Sequence, residues 1–491
     1  MTSPMSSPPA AGSGQTAGSD PIPQGVGSDP GPQGVGFDPV VVIGGGFAGL
    51  SAAAALAQRG MRVLVVDARP QLGGRATAFT DRETGELVDN GQHVLFGCYR
   101  ATFEFLSRIG ALDNVRVQSS LSVPYIDRAG RRSVLKCPAL PSPLHLLAGV
   151  LDWDAIPWRD RLAVIKLAGP LRQARRELQR TGSVSAEPDG TVSNWLVAHG
   201  QRDKLRAWLW EPLAVAALNQ SPDVAAASPF VRVLAEMFGP DPAASALVLP
   251  TRPLHHMYAE PARAFIEARG GEVRVNALAR VVVERGRVQA FDIRGSRIDT
   301  SRVIAAVPWF DLRRLFTGAP PAPLGALLAD ADAMVSMPIV TVNLWYDRPV
   351  MDEPFVGLPG RDMQWVFDKR QAFGERASHL SLVASGADHL TASDTASLVS
   401  LAAREVAGAI PGARAATLVR GTVVRERRAT FSLALDQPKR PGITTPVEGL
   451  FLAGDWIDTG LPGTIESAAL AGHKAALAIQ QSVRAEPPDN E

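Results

Sequence analysis

Gly44, Gly46 and Gly49 stand in the spacing G-x-G-x-x-G, with Phe47 and Ala48 between the last two, and Asp67 follows 23 residues after Gly44. A first glycine permits a tight turn, a second lets backbone approach a pyrophosphate, and a third lets a helix pack closely on a strand. An acid at that distance suits the hydroxyls of a ribose. A further pair, Gly73-Gly74, is followed directly by Arg75, and Gly454-Asp455 stands about 400 residues later, shortly before Thr464 and Ile465. Turns rich in backbone N–H groups, with one guanidinium, are the means by which a chain holds an extended anionic ligand. The chemistry these residues can support is dinucleotide binding. The second glycine pair suits a dinucleotide that continues past its pyrophosphate, as a flavin dinucleotide does.

These residues need particular elements to hold them. Val40 to Ile43 is a β-branched run that predicts a buried parallel strand ending at Gly44. The Ala-rich stretch after Gly49 predicts a helix closed by Gly60, and Arg62 to Asp67 a second strand with the acid at its end. The helix start offers free N–H groups and a positive dipole end. Near the other end, Leu450 to Ala453 predicts a strand running into Gly454-Asp455, and a helix begins near Thr464. We expect the N–H groups at its N-terminus to point at the flavin pyrimidine oxygens. Between these, Gly270 to Trp309 reads as a β-meander turned at Gly286 and Gly295-Ser296. Two motifs so far apart in sequence imply that both chain ends build one site.

At 491 residues the chain has room for two or three domains. Its 50 basic and 49 acidic residues leave no field to attract nucleic acid. Cys98 and Cys137 show neither a metal-ligand nor a CxxC spacing, so we expect no metal site, no disulfide framework and a reducing, cytoplasmic setting. The opening residues carry no basic n-region or apolar h-region, so no signal peptide is expected. Residues 1–38 repeat a Gly/Pro-rich unit from Ser19 and again from Ser28, and are expected to be a disordered tail, as are residues 483–491.

The order of glycine loop, acid and second glycine pair resembles the amine oxidase and phytoene desaturase superfamily of FAD enzymes. The segment from Gly449 to Ile479 is similar to that superfamily's C-terminal motif, with Gly454, Asp455, Thr464, Ile465 and Glu466 at matching positions. The resemblance implies FAD as cofactor, backbone contact from Val273 on the adenine side, and "VIAAVP" running under the dinucleotide. It implies an α/β fold: a discontinuous, Rossmann-like, GR2-type FAD-binding domain with an inserted mixed α+β substrate domain. We expect residues 39–130, 230–310 and 440–482 in the first, and 131–229 and 311–439 in the second.

Two further stretches, "DNGQHVLFGCYRAT" from Asp89 and "EPLAVAALNQ" from Glu211, narrow the resemblance to the hydroxysqualene dehydroxylase family. That resemblance implies reductive removal of an allylic hydroxyl from hydroxysqualene to give squalene, with hydride from reduced flavin N5. The physiological electron donor stays unassigned. Asp89, Gln92 and His93 then become candidate catalytic groups near the flavin. His93 either supplies the proton, since imidazole titrates near neutrality, or hydrogen-bonds backbone or cofactor. Glu211 and Asn219 either line the cavity or anchor helices. Thr464 stands where many amine oxidases carry a cage aromatic, which argues against an amine substrate. A carotenoid or phytoene-type desaturase or isomerase is the alternative, and a non-catalytic FAD-stabilised partner protein a third. The apolar run Leu144 to Leu151, with Trp153 and Trp158 and a cationic continuation, is too short to span a bilayer. It reads either as a peripheral contact with the inner face of the cytoplasmic membrane, admitting a lipid-like isoprenoid, or as a core helix pair.

Overall fold

The computed structural model describes residues 39–485. The expected tail 1–38 lies outside them, as do residues 486–491; the final helix, Ile465–Ala485, carries residues 483–485 as helix rather than tail.

Val40–Ile43 is buried along its whole length, the pattern of an inner parallel strand. It is the centre of a five-stranded parallel sheet ordered Glu272–Arg274, Val63–Val66, Val40–Ile43, Val303–Ala305, Leu450–Leu452. In chain order within the sheet this is 3-2-1-4-5, a Rossmann-like arrangement. Its strand order reverses beside Val40–Ile43, which leads straight into Gly44. Ligands bind at such reversals because the crossovers leave in opposite directions and open a crevice.

Helix Phe47–Gln58 buries Ala52, Ala53, Ala54 and Ala57. Small side chains let the last helix lie close against it. A Cβ on Gly472 would stand 2.3 Å from the Ala48 carbonyl, and Ser51 Oγ donates to Ala469 O at 3.1 Å. The first and last helices thus share one core with Val42, Val65, Leu56, Ala475 and Ile479.

The meander consists of antiparallel strands Ala279–Glu284, Arg287–Ile293 and Ser296–Asp299. At Arg285-Gly286 and Arg294-Gly295 both residues have positive φ, the primed turn geometry that matches strand twist.

A seven-stranded sheet runs Leu418–Phe431, Ser336–Tyr346, Ser378–Ser385, Trp365–Asp368, Phe355–Gly357, Ser122–Ile126, Arg132–Lys136. Only the step from Phe355–Gly357 to Ser122–Ile126 is parallel. Ser122–Ile126 comes from segment 39–130 and the other six strands from 131–229 and 311–439. Helices Leu144–Asp152, Ala168–Thr181, Glu211–Leu218 and Ala227–Met237 accompany this sheet. Trp153, Trp195, Trp210 and Phe230 share a core with Phe431 of its first strand. The fold is α/β, with a Rossmann-like sheet and a mixed α+β portion.

Candidate active site

The three glycines of the loop are glycine for different reasons. Gly44 has φ of 111°, and a Cβ there would stand 2.3 Å from Ala306 O, so the loop presses on the end of Val303–Ala305. A Cβ on Gly49 would stand 1.9 Å from Gly44 O, so the helix start packs on the turn itself. Gly46 has an ordinary φ of −87°, and a Cβ there would meet only Gly74 Cα, at 3.8 Å. Among the described residues nothing within 3.8 Å of that Cβ requires glycine at that position. The space beside it lies between the two glycine turns, and Phe47, Ala48 and Gly49 begin the helix there with N–H groups that no preceding turn can accept.

Asp67 Oδ2 accepts Gly45 N–H at 2.7 Å, and Oδ1 accepts Arg69 N–H at 2.8 Å. Its carboxylate therefore shapes the loop and keeps lone pairs for a further donor. At the second turn Gly73 and Gly74 have φ of 117° and 58°. The Tyr258 hydroxyl lies 2.7 Å from Gly73 O and 3.1 Å from Ala76 O, and its ring stacks on Phe47 at 3.7 Å. Tyr258 thus braces both glycine turns from a position far along the chain.

The C-terminal motif meets them directly. Arg75 Nη2 donates to Asp455 Oδ1 at 2.5 Å across 380 positions of sequence, and Nη1 donates to Ala429 O at 2.7 Å. Thr464 Oγ1 accepts Ser467 N–H at 3.1 Å, capping the last helix, so Gly463, Thr464 and Ile465 bring that helix start to the wall of a cavity. Glu466 faces away from it. Its carboxylate accepts the N–H groups of Ala101 and Thr102, capping helix Arg100–Arg108.

The cavity holds about 890 Å³ and is continuous from Gly44, Gly46, Asp67 and Gly74 to an apolar branch. Tyr125, Leu213, Phe238, Phe355, Trp365 and Phe367 line that branch, contributed by the seven-stranded sheet and its helices. Leu146, Leu147 and Val150 of helix Leu144–Asp152 also face it. The outer side of the same region exposes Leu144 (53%) and Trp158 (64%), Ile165 lines the cavity while 48% exposed, and Trp153 is buried. The segment is thus both cavity wall and surface, divided residue by residue. Val273 does not line the cavity. It is buried in the edge strand Glu272–Arg274, and Ala277 to Arg280 form the wall there.

Of the three candidate catalytic groups, Gln92 and His93 line the cavity and Asp89 does not. Asp89 is buried behind the wall, where Oδ2 accepts Lys369 Nζ at 2.6 Å and Oδ1 accepts Leu254 N–H at 3.0 Å. The fully buried Lys369 also donates to Gln92 Oε1 at 2.6 Å and sits 4.1 Å from the Phe373 ring centre. An ammonium only donates, so Gln92 must turn its carbonyl to Lys369 and keep its NH₂ for other acceptors. Burial pushes the His93 imidazole from 6.5 down to about 4, outweighing the nearby Asp89 charge, and Lys369 and Arg75 add to the fall. His93 is therefore neutral at neutral pH. Asn219 is at the wall and also anchors the structure: Nδ2 donates to Thr430 Oγ1 at 3.0 Å, and Oδ1 accepts Gly386 N–H at 2.7 Å. Glu211 does not line the cavity, and burial raises its carboxyl.

A family model described as flavin containing amine oxidoreductase matches residues 47–480. The chain belongs to this family. It is 30% identical over 455 residues to the hydroxysqualene dehydroxylase of Sinorhizobium fredii, covering 90% of this chain and 99% of that relative. It is 24% identical over 463 residues to the 15-cis-phytoene desaturase of Capsicum annuum, covering 90% and 78%. A solved oxidoreductase from Methanosarcina mazei shares the fold with a TM-score of 0.69 at 18% identity, covering 90% of this chain and 99% of the other.

As a flavin-containing amine oxidoreductase, the chain is an FAD-dependent oxidoreductase. Its residues fit that cofactor. The space beside Gly46, which no described residue fills, opens onto the free N–H groups of Phe47 and Ala48, where a pyrophosphate can approach backbone. Asp67, the turn Gly73-Gly74-Arg75 and the helix start at Thr464-Ile465 line the same cavity in continuation. Tyr258 and Lys369 escape sequence reasoning. Tyr258 is an isolated tyrosine, and Lys369 meets Asp89 across 280 positions with no local pattern to mark either.

Proposed function

We propose that this oxidoreductase removes the allylic hydroxyl of hydroxysqualene, giving squalene. The observation that carries this reading is the apolar branch, which continues from the flavin end and carries no cage aromatic at Thr464. A long hydrocarbon with one polar group fits such a branch, and a small charged amine does not. The likeness to hydroxysqualene dehydroxylase supports the same substrate.

Bound FAD, once reduced, supplies hydride. The chain supplies the rest. Gly44, Gly46, Phe47, Ala48 and Gly49 receive the pyrophosphate, Asp67 the ribose, and Gly73, Gly74, Arg75, Gly454, Asp455, Thr464 and Ile465 the flavin half. Gln92 offers its NH₂ toward the substrate oxygen, oriented by Lys369 and Asp89. Tyr125, Trp365 and the Phe side chains exclude water, so that a developing allylic cation meets no competing nucleophile. The isoprenoid enters from a membrane surface. Among the described residues no helix is long and apolar enough to cross a bilayer. The exposed Leu144, Trp158 and Ile165, beside Arg159, Lys166 and Arg172, form a contact suited to anionic lipid.

Anaerobic mixing of the reduced holoprotein with hydroxysqualene tests the reading. We expect flavin reoxidation with one squalene formed per flavin. If instead a polyene hydrocarbon reduces the oxidised flavin while hydroxysqualene leaves the reduced form unchanged, the desaturase reading suggested by the phytoene desaturase likeness replaces ours.

A further inference from the structure

Reductive loss of a hydroxyl requires a proton as well as a hydride, because hydroxide is a poor leaving group. Most titratable groups on the cavity wall are committed elsewhere. Asp67 receives two backbone N–H groups and Asp455 is held by Arg75. Asp311 lies 3.6 Å from Arg314, and His93 at about 4 is neutral. Burial pushes the Tyr99 and Tyr125 phenols up, away from acidity.

Glu426 is different. It lines the cavity, and among the described residues it forms no ion pair with a basic side chain. Its carboxyl accepts only neutral donors, Asn90 Nδ2 at 3.1 Å and Arg428 N–H at 3.3 Å. Asn90 Nδ2 also donates to Arg75 O at 3.0 Å, so Glu426 sits one hydrogen bond from the second glycine turn. On the other side, its strand partner Ile339 lines the cavity, as do Ala429 and Thr430 farther along its own strand. The carboxyl therefore stands where the flavin end meets the apolar branch.

We propose that Glu426 is the proton donor to the departing hydroxyl, an inference that rests on the reductive reading above. The allylic C–O bond breaks, and the Glu426 proton passes to the leaving oxygen, which departs as water. Hydride from the reduced flavin forms the new C–H bond. Alcohol, proton and hydride become hydrocarbon and water, and Glu426 is left as a carboxylate to be reprotonated from solvent.

The test compares Glu426→Gln with wild type in anaerobic single turnovers of the reduced holoprotein, using hydroxysqualene and its acetate ester. Glutamine keeps the size and the acceptor for Asn90 but has no acidic proton. With the alcohol we expect about 10²- to 10⁴-fold slower flavin reoxidation, the range for loss of a general acid. With the ester, whose leaving group departs as acetate, the variant should be nearly as fast as wild type. FAD content and the flavin spectral change on adding hydroxysqualene should match wild type. Glu426→Asp should recover part of the alcohol rate, which guards against a variant that misfolds. A Glu426→Gln rate near wild type with the alcohol, or an equal loss with both substrates, overturns the assignment and leaves the dehydroxylase reading standing. Wild-type protein inert toward both substrates overturns the two together.

Discussion

At the scale of single residues, the glycine loop separates groups the fold needs from groups the cofactor needs. Gly49→Ala places a Cβ 1.9 Å from Gly44 O, so the apoprotein itself should lose several kcal/mol of stability, of order 3 or more. Gly46→Val adds a Cβ that meets only Gly74 Cα, at 3.8 Å. Its apoprotein should melt close to wild type while FAD affinity collapses, and thermal melts beside flavin titration would show the dissociation. Asp67→Ala should weaken FAD retention by roughly 1–3 kcal/mol, through the lost ribose acceptor and the loosened loop. Lys369→Met leaves the buried Asp89 carboxylate without its partner and should cost about 3–5 kcal/mol. A double variant that also replaces Asp89 with Asn should recover part of that loss in urea unfolding. His93 adds a pH dependence. Its folded pKa of about 4 lies below the ordinary 6.5, so folding disfavours the protonated form. The associated stability is present above pH 6.5 and is lost as pH falls toward 4, by about 3 kcal/mol at most. Urea midpoints of wild type across that window should fall more steeply than those of His93→Asn.

At the scale of elements, helix Leu144–Asp152 shows how one segment serves two environments. Leu144 points outward, while Leu147 faces the cavity, three residues along the same helix. Replacing Leu144 and Trp158 together with Ser should weaken sedimentation with anionic liposomes and leave FAD content unchanged. Leu147→Ser should leave liposome binding intact and raise the KM for the isoprenoid. Unchanged sedimentation of the first variant would move the membrane contact to another face of the protein.

At the scale of the whole molecule, one cavity joins distant parts of the chain. The strands Val40–Ile43 and Leu450–Leu452 flank Val303–Ala305, and Arg75 meets Asp455, so both ends meet at one sheet. Saturating FAD should raise the melting temperature of the entire described unit in one transition; at a hundredfold excess over Kd the gain is about 2.7 kcal/mol. The flavin should be released by acid precipitation. Cys137 lines the cavity, but burial pushes its thiol up to about 11, too little thiolate to attack a flavin, and Cys98 is pushed up to about 12.

The amino-acid sequence alone determined the cofactor class and pointed to the two motifs we propose for holding it. Both depend on backbone sterics and helix starts within a few tens of residues, where glycine spacing is a direct record of geometry. Helix periodicity marked Leu144 to Leu151 as apolar but left open which residues meet solvent and which meet the cavity, because both positions favour leucine. The tertiary structure decided that, and it decided the polar wall. Asp89 moved from the reaction space to a buried ion pair because Lys369 arrives from the seven-stranded sheet's side of the chain. His93 is neutral because its surroundings desolvate it, a property no single residue type carries. Glu426 reaches Asn90 across 336 positions of sequence. Such meetings are set by which strands pair and in what register, so they become visible only when the whole chain has folded.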